Sequence, residues 1–467
     1  MHAAAQTQEL KAGNLGIPQE VALKILDSIR SQGPKLIELA TSEALTLRTA
    51  RPDLSLIRKA EFRLARAEQA HVVNGPKLAG LTVALTLKIT VTGRDSGAPV
   101  TGARVVALTN FAAKQGEEQL TDENGTATFE LLGGSKKLDR FYIYPNFGFW
   151  PRLEQAFTLK TGAKFSLEPV RLDGPDSLRF HYPDVADDAG AGVRVAVIDS
   201  GVAKHADLKV ERAACTVTGE DADDGSDVTD EGHGTHVSGI VAARGKTPKG
   251  MRGLAPGVSL HVYRVVPKGS ALASNFAIAK AIDLAIDKKA DLINLSIEGV
   301  TPDPLVRQAL QRARMSGIVV VAAAGNGNRQ PVAFPASDSF ALAVSATGRK
   351  GLVPADSPQA LALREPVGTD GEECLADFSN IGDDLDFAAP GVGIVSTVPN
   401  GYAVMDGTSM ACPAVTGAGA TLLSRTSTVR DMERGEARAE ALTKLMVDAA
   451  KSLGLGPVFE GHGLIRL

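Results

Sequence analysis

The chain has 467 residues, 44% hydrophobic and 22% charged, with a formal net charge of −4 at pH 7. Those proportions are ordinary for a soluble globular protein long enough for about three domains. The charge gives no electrostatic reason to expect nucleic acid or an anionic membrane as a partner.

Three cysteines, Cys215, Cys374 and Cys412, cannot all pair, and none stands in a C-x-x-C, which argues against a disulfide framework or a zinc ribbon. The opening MHAAAQTQELKAGNLGIPQE lacks the apolar core of a secretory signal. The most continuous apolar run, IVVVAAA at 318–324, is far short of the roughly 20 residues of a membrane span. The expected location is therefore the cytoplasm, or outside the cell if a signal has been removed from the sequence.

Residues 1–80 are expected to form a helical N-terminal region, either regulatory or propeptide-like. Pro18 suits a first helical position, and Val21, Ile25 and Ile29 recur at helical spacing. SQGPK at 31–35 breaks that helix, and KLIELATSEAL begins another. Residues 82–172 change to period-two alternation in LTVALTLKITVTG, followed by short strands with DSGAP, DENG and GGS as turns. This predicts a small all-β sandwich. The stretch TGRDSGAPVTGARVVAL…TDENGTATFEL resembles the transthyretin-like and carboxypeptidase-regulatory-like modules, which implies a mostly non-catalytic role.

Residues 180–467 alternate strands and helices. The near-continuous Val/Ile/Leu strands, as in VRVAVID and GIVVVAAAG, predict an α/β fold with a parallel sheet covered by helices on both faces. Active sites of such sheets gather beyond the strands' carboxyl ends, where four polar residues fall. Asp199 ends VRVAVID. His233 opens the small-residue helix of DEGHGTHVSGIVAA; with His236 it lacks the spacing and Glu of H-E-x-x-H, so a general base suits it better than a zinc ligand. Asn326 ends VVVAAAGN, where a side-chain amide can donate to an oxyanion. Ser409 in DGTSMACPAVTGAGA stands among small residues at a helix entrance. Alone, the Asp and the Asn each read more simply as turn or capping residues.

The order Asp199, His233, Asn326, Ser409 and the motifs around them resemble the subtilisin-like serine proteases over some 280 residues. The resemblance implies a serine endopeptidase in which Ser409 attacks, His233 takes its proton and Asp199 orients the imidazole. Asn326 and the Ser409 amide would bind the oxyanion, with Ser296, Ile297, Glu298, Ala323, Ala324, Gly325 and Thr408 contacting substrate. Relatives commonly have Gly where this chain has Glu298. A carboxylate there would favour basic substrate side chains, point to solvent or narrow the cleft. Gly327 and Ala333 suggest a pocket for medium apolar residues.

No cofactor is expected to be required. The acid-rich EDADDGSDVTDE (220–231) reads as a solvated loop, with a weak calcium site as the alternative. Residues 347–373 look like a surface insertion of unknown role, and Cys412 like a packed residue. The expected substrate is polypeptide, with a regulatory protein partner engaged through the N-terminal domains. The rival reading is a catalytically silenced protease domain used as a binding scaffold; retention of all four residues argues against it.

Overall fold

The computed structural model describes residues 21–75, 86–130 and 135–467. The helix predicted through Val21, Ile25 and Ile29 is a strand instead, β1 (Lys24–Ser28), paired antiparallel with β2 (Lys35–Glu38). The Gly-Pro expected to break a helix closes this hairpin: Gly33 N–H donates to Arg30 O (3.1 Å) and Ile29 N–H to Pro34 O (3.1 Å). Of the second predicted helix only α1 (Thr41–Ala50) forms, its entry held by Glu43, which accepts from Ala40 N–H (3.1 Å). The strand β3 (Glu61–Leu64) follows. Pro18 lies outside the described residues.

The predicted sandwich consists of β4 (Leu87–Gly93), β5 (Arg104–Asn110), β6 (Gln115–Leu120), β7 (Thr126–Phe129), β8 (Ser135–Tyr144), β9 (Arg152–Lys160) and β10 (Ala163–Leu167). A three-stranded sheet, β10-β4-β7, and a four-stranded sheet, β6-β5-β8-β9, enclose Ile89, Val105, Phe129, Phe141 and Leu159.

The remainder is built on β11 (Arg194–Asp199), β12 (Val210–Cys215), α2 (His233–Ala242), β13 (Ser259–Arg264), β14 (Leu272–Ser274), α3 (Asn275–Asp287), β15 (Leu292–Leu295), β16 (Ile297–Glu298), α4 (Pro304–Met315), β17 (Val319–Ala323), β18 (Leu342–Arg349), β19 (Leu363–Val367), β20 (Glu373–Ala376), β21 (Leu385–Pro390), β22 (Ile394–Val398), β23 (Gly401–Met405), α5 (Thr408–Arg425) and α6 (Glu436–Asp448). A nine-stranded sheet runs β12-β13-β11-β15-β17-β18-β20-β19, with β21 also on β18; only the pairings of β20 are antiparallel.

Both faces are covered, which is why its strands read as unbroken apolar runs. Alternate residues of β11 serve the two cores: Val195 and Val197 pack with α2, α5 and α6, and Ala196 and Ile198 with α3 and α4. No helix among the described residues is long and apolar enough to cross a membrane.

The segment 347–373, expected to be a surface insertion, instead supplies β19 and the ends of β18 and β20 to the main sheet. Its Asp356 carboxylate takes Arg152 (3.3 Å) of the β-module, and Asp356 O accepts from Leu153 N–H (2.7 Å). Its Gln359 donates to Asp406 Oδ2 (2.7 Å), three residues before Ser409. Trp150 of the module also packs with Met251, Val395 and Val404 of the large domain.

At the opposite end of the sheet, buried Asp291 accepts from Arg438 (2.7 Å), Arg434 (2.7 Å) and Arg194 N–H (2.8 Å). Removing Arg438 takes from that carboxylate its buried partner, leaves it the part-exposed Arg434, and leaves Gly317 O without its guanidinium donor. Arg438→Ala in a Ser409→Ala background is expected to lower unfolding free energy by about 3 kcal/mol, measured by denaturant titration.

Candidate active site

The parallel sheet brings Asp199 to the carboxyl end of β11, beside the first residue of α2. His233 Nδ1 lies 2.7 Å from Asp199 Oδ1, which also accepts from Ser200 N–H (2.7 Å). An ionised carboxylate only accepts, so Nδ1 carries the proton and Nε2 presents its lone pair. Nε2 is buried without a hydrogen-bond partner.

The first turn of α2 is capped by side chains: Thr229 accepts from His233 N–H (3.0 Å), Ser200 from Gly234 N–H (2.9 Å) and Asp227 from Thr235 N–H (2.9 Å). The acid-rich loop is thus put to use. Asp227 caps a helix, while Glu220 and Asp224 pair with Arg264 and Lys268.

Ser409 is fully buried in the first turn of α5. Pro413, four residues on, lacks an N–H, so Ser409 O has no helical donor. It accepts instead from Ser296 Oγ (3.0 Å), which in turn accepts from Asn294 Nδ2 (2.9 Å). Ser409 Oγ donates to Ser296 O (3.2 Å). Cys412 packs beneath, with Sγ 3.2 Å from Asn294 Oδ1, and burial pushes its thiol up beyond the usual range, as expected of a packed residue.

Asn326 Oδ1 accepts from Thr408 N–H (2.9 Å), which fixes the amide and leaves Nδ2 buried without a partner. Thr408 Oγ1 accepts from Gly325 N–H (3.1 Å), and Gly325 takes φ +100°, a conformation that favours glycine.

The cleft between these groups is filled by the chain's own residues 61–67. β3 is the central strand of a three-stranded antiparallel sheet with β14 and β16 on its flanks, pairing Phe62 with Ala273, Arg63 with Leu272 and Glu298, and Leu64 with Ile297. Beyond β3, Ala65 N–H donates to Ser296 O (2.9 Å), Ser409 N–H to Ala65 O (2.9 Å) and Ala67 N–H to Asp406 O (2.9 Å). A Cβ on Gly407 would stand 2.9 Å from Ala65 O and from Arg66 Cα, so only glycine lets this backbone pass. Phe62 packs at 6.1 Å from Phe334, Arg66 pairs with Glu231, and Arg63 with Glu298 (2.6 Å).

Of the predicted contact residues, Ser296, Ile297 and Glu298 meet the strand directly. Ala323 and Ala324 are buried in and just after β17, and none of the hydrogen bonds to the strand comes from them. Glu298 does not point to solvent: it is 4% exposed, and its Oε2 would stand 2.5 Å from a Cβ on Gly325. Nothing local in the sequence marks the wall formed by β14, the carbonyl of Asp406 or Glu231, whereas the alternation of EFRL marks β3.

His236, one turn beyond His233, is buried and hydrogen-bonded. It donates through Nε2 to Ile394 O (3.0 Å) and Ala403 O (3.2 Å), and burial, with His233 as a lesser cause, pushes its pKa down to about 3. A histidine with a depressed folded pKa binds fewer protons than the unfolded chain, so its contribution is present above about pH 6.5 and is lost as the pH falls toward 3. In a Ser409→Ala background, His236→Gln is expected to flatten the loss of thermal stability between pH 6.5 and 4. An unchanged slope would assign the acid limb to other groups.

Comparison with known proteins gives the same region a lineage. A family model described as "Subtilase family" matches residues 190–463. Subtilisin DY of Bacillus licheniformis is 36% identical over 285 residues, 60% of this chain and 90% of the relative. Subtilisin Savinase of Lederbergia lenta is 33% identical over 279 residues, 59% and 90% respectively. Alkaline elastase YaB of Bacillus sp. (strain YaB) is 39% identical over 233 residues, 50% of this chain and 54% of the relative.

Proposed function

Because the chain belongs to the subtilase family and is a subtilisin-like serine protease, we propose that Ser409 cleaves peptide bonds by an acyl-enzyme route and that Ala65–Arg66 is the first bond it cuts. The observation that carries this reading is the hydrogen bond from Ser409 N–H to Ala65 O, made while Ser296 O accepts from Ala65 N–H. Both bonds hold the carbonyl of residue 65 beside the nucleophile.

In this mechanism Ser409 Oγ exchanges its bond to Ser296 O for one to His233 Nε2, surrenders its proton there and attacks the carbonyl carbon of Ala65. Asp199 stabilises the imidazolium. The negative oxygen is held by Ser409 N–H and by Asn326 Nδ2, whose lack of a partner suits it to receive one. Collapse breaks the bond to the Arg66 nitrogen, which takes the proton from His233, and water then hydrolyses the ester on Ser409. The positive end of α5 favours the same charge.

The N-terminal segment is the regulator in this reading. Before the cut it fills the cleft, docked on α3 by Lys280 with Asp27 (2.8 Å) and Arg30 with Asp287 (3.2 Å). Beyond the cut, Ala70 N–H donates to Tyr144 Oη (3.1 Å) and Asn74 bridges to Gln115, so residues 66–75 stay with the β-module. That module remains on the enzyme, where it can recruit a partner or substrate.

Two measurements test this. The intact mass of full-length protein should fall over time to that of residues 66–467, and Ser409→Ala should keep its full mass and fail to label with a fluorophosphonate. A stable wild type that does not label would overturn the assignment. Asn326→Ala should label and fold but lose about 10²–10³-fold in turnover, a cost borrowed from the loss of one oxyanion donor in this class of enzyme.

A further inference from the structure

Glu298 carries a buried charge that bond cleavage does not use. It is 4% exposed and lies in β16, directly opposite Arg63 in the three-stranded sheet of the cleft. One carboxylate oxygen is fixed by the enzyme, accepting from Asn326 N–H (2.9 Å). The other accepts from Arg63 Nε (2.6 Å). Arg63 comes from the segment in the cleft, and its side chain is 63% exposed. The enzyme thus supplies a desolvated anion, and the bound strand supplies the cation.

We propose that Glu298 is a specificity-determining residue, selecting polypeptides with arginine at the third residue before the scissile bond. This rests on the reading that residues 61–67 lie in the cleft as a substrate does. The discrimination comes from the enzyme's side of the contact. Because Oε2 is tethered to the backbone beside Asn326, the carboxylate cannot swing out to water without giving up that bond. A substrate with a neutral residue opposite it leaves a buried charge unpaired. Selection by a site whose own polar group goes unsatisfied is stronger than selection by shape. A cation from the substrate removes that penalty in the bound state. Its exposed stem costs little desolvation, since the guanidinium reaches the carboxylate through Nε and keeps most of its surface in water.

The test uses full-length protein incubated until its mass is constant, with Ser409 labelling as the measure of competent enzyme. Three peptides are compared: Phe-Arg-Leu-Ala-Arg-Ala, and the same sequence with glutamine or citrulline in place of the first arginine. Citrulline keeps the shape and most of the donors of arginine but not its charge. Wild-type kcat/KM is expected to fall about tenfold or more with either replacement, the worth of one charge-assisted hydrogen bond. In Glu298→Gln the three peptides should come within about twofold of one another.

Equal cleavage of arginine and citrulline peptides by wild type would overturn the proposal. So would a tenfold preference that survives in Glu298→Gln. If that variant fails to label, and so has not folded, the wild-type citrulline comparison decides. Labelling without cleavage of any of the three peptides counts against the proposal alone. Absence of both labelling and cleavage overturns the reading of Ser409, and this proposal with it.

Discussion

The carbonyl oxygen of Ser296 accepts two hydrogen bonds, from the N–H of Ala65 and from the hydroxyl of Ser409. Through that one atom the register of the strand in the cleft is tied to the position of Ser409 Oγ. The Ser296 hydroxyl completes the arrangement by bonding to Ser409 O, available because Pro413 removes the helical donor. A slip of one residue by the strand would turn every side chain to the opposite face, taking Phe62 from Phe334 and Arg63 from Glu298. The apolar and ionic contacts of the strand therefore support the placement of a single carbonyl beside Ser409.

Much of this site is legible in the sequence because the large domain obeys simple rules. A sheet covered on both faces needs unbroken apolar strands, and its polar residues collect where those strands end, which puts Asp199, Ser296 and Asn326 at or just beyond the carboxyl ends of β11, β15 and β17. The small residues after Ser409 are legible for the same reason, since α5 packs deep: a Cβ on Gly417 would meet Leu254 at 2.8 Å. The N-terminal region is less so. Val21, Ile25 and Ile29 have helical spacing, yet the Gly-Pro that follows closes a hairpin, and a short turn can be read either as a helix stop or as a β-turn. β3 is four residues long, and its partners lie more than 200 residues away, so what makes it a strand is written in β14 and β16.

The segment 347–373 shows how residues outside the proposed catalytic set can matter to a site. It grips the β-module through Asp356 and touches the carboxylate of Asp406 through Gln359, while the backbone carbonyl of that same Asp406 holds Ala67. Burial raises the Asp406 carboxyl to about 6, so donation from Gln359 and from Gly393 N–H (2.7 Å) helps keep it ionised near neutrality. A continuous line of contacts thus runs from the module to the residue that begins the Gly407 approach.

The two sides of the Ala65–Arg66 bond are held by different contacts, one by α3 and the flanking edge strands, the other by Glu231, the Asp406 carbonyl and the β-module. The proposed hydrolysis would therefore leave both new ends where they were. What changes is molecularity. Before the cut, the strand returns to the cleft at an effective concentration set by its tether, independent of how dilute the protein is. After it, the same contacts would belong to two separate chains, and their persistence would depend on protein concentration. Cleavage of that single bond would thus convert a closure insensitive to dilution into one that dilution can undo.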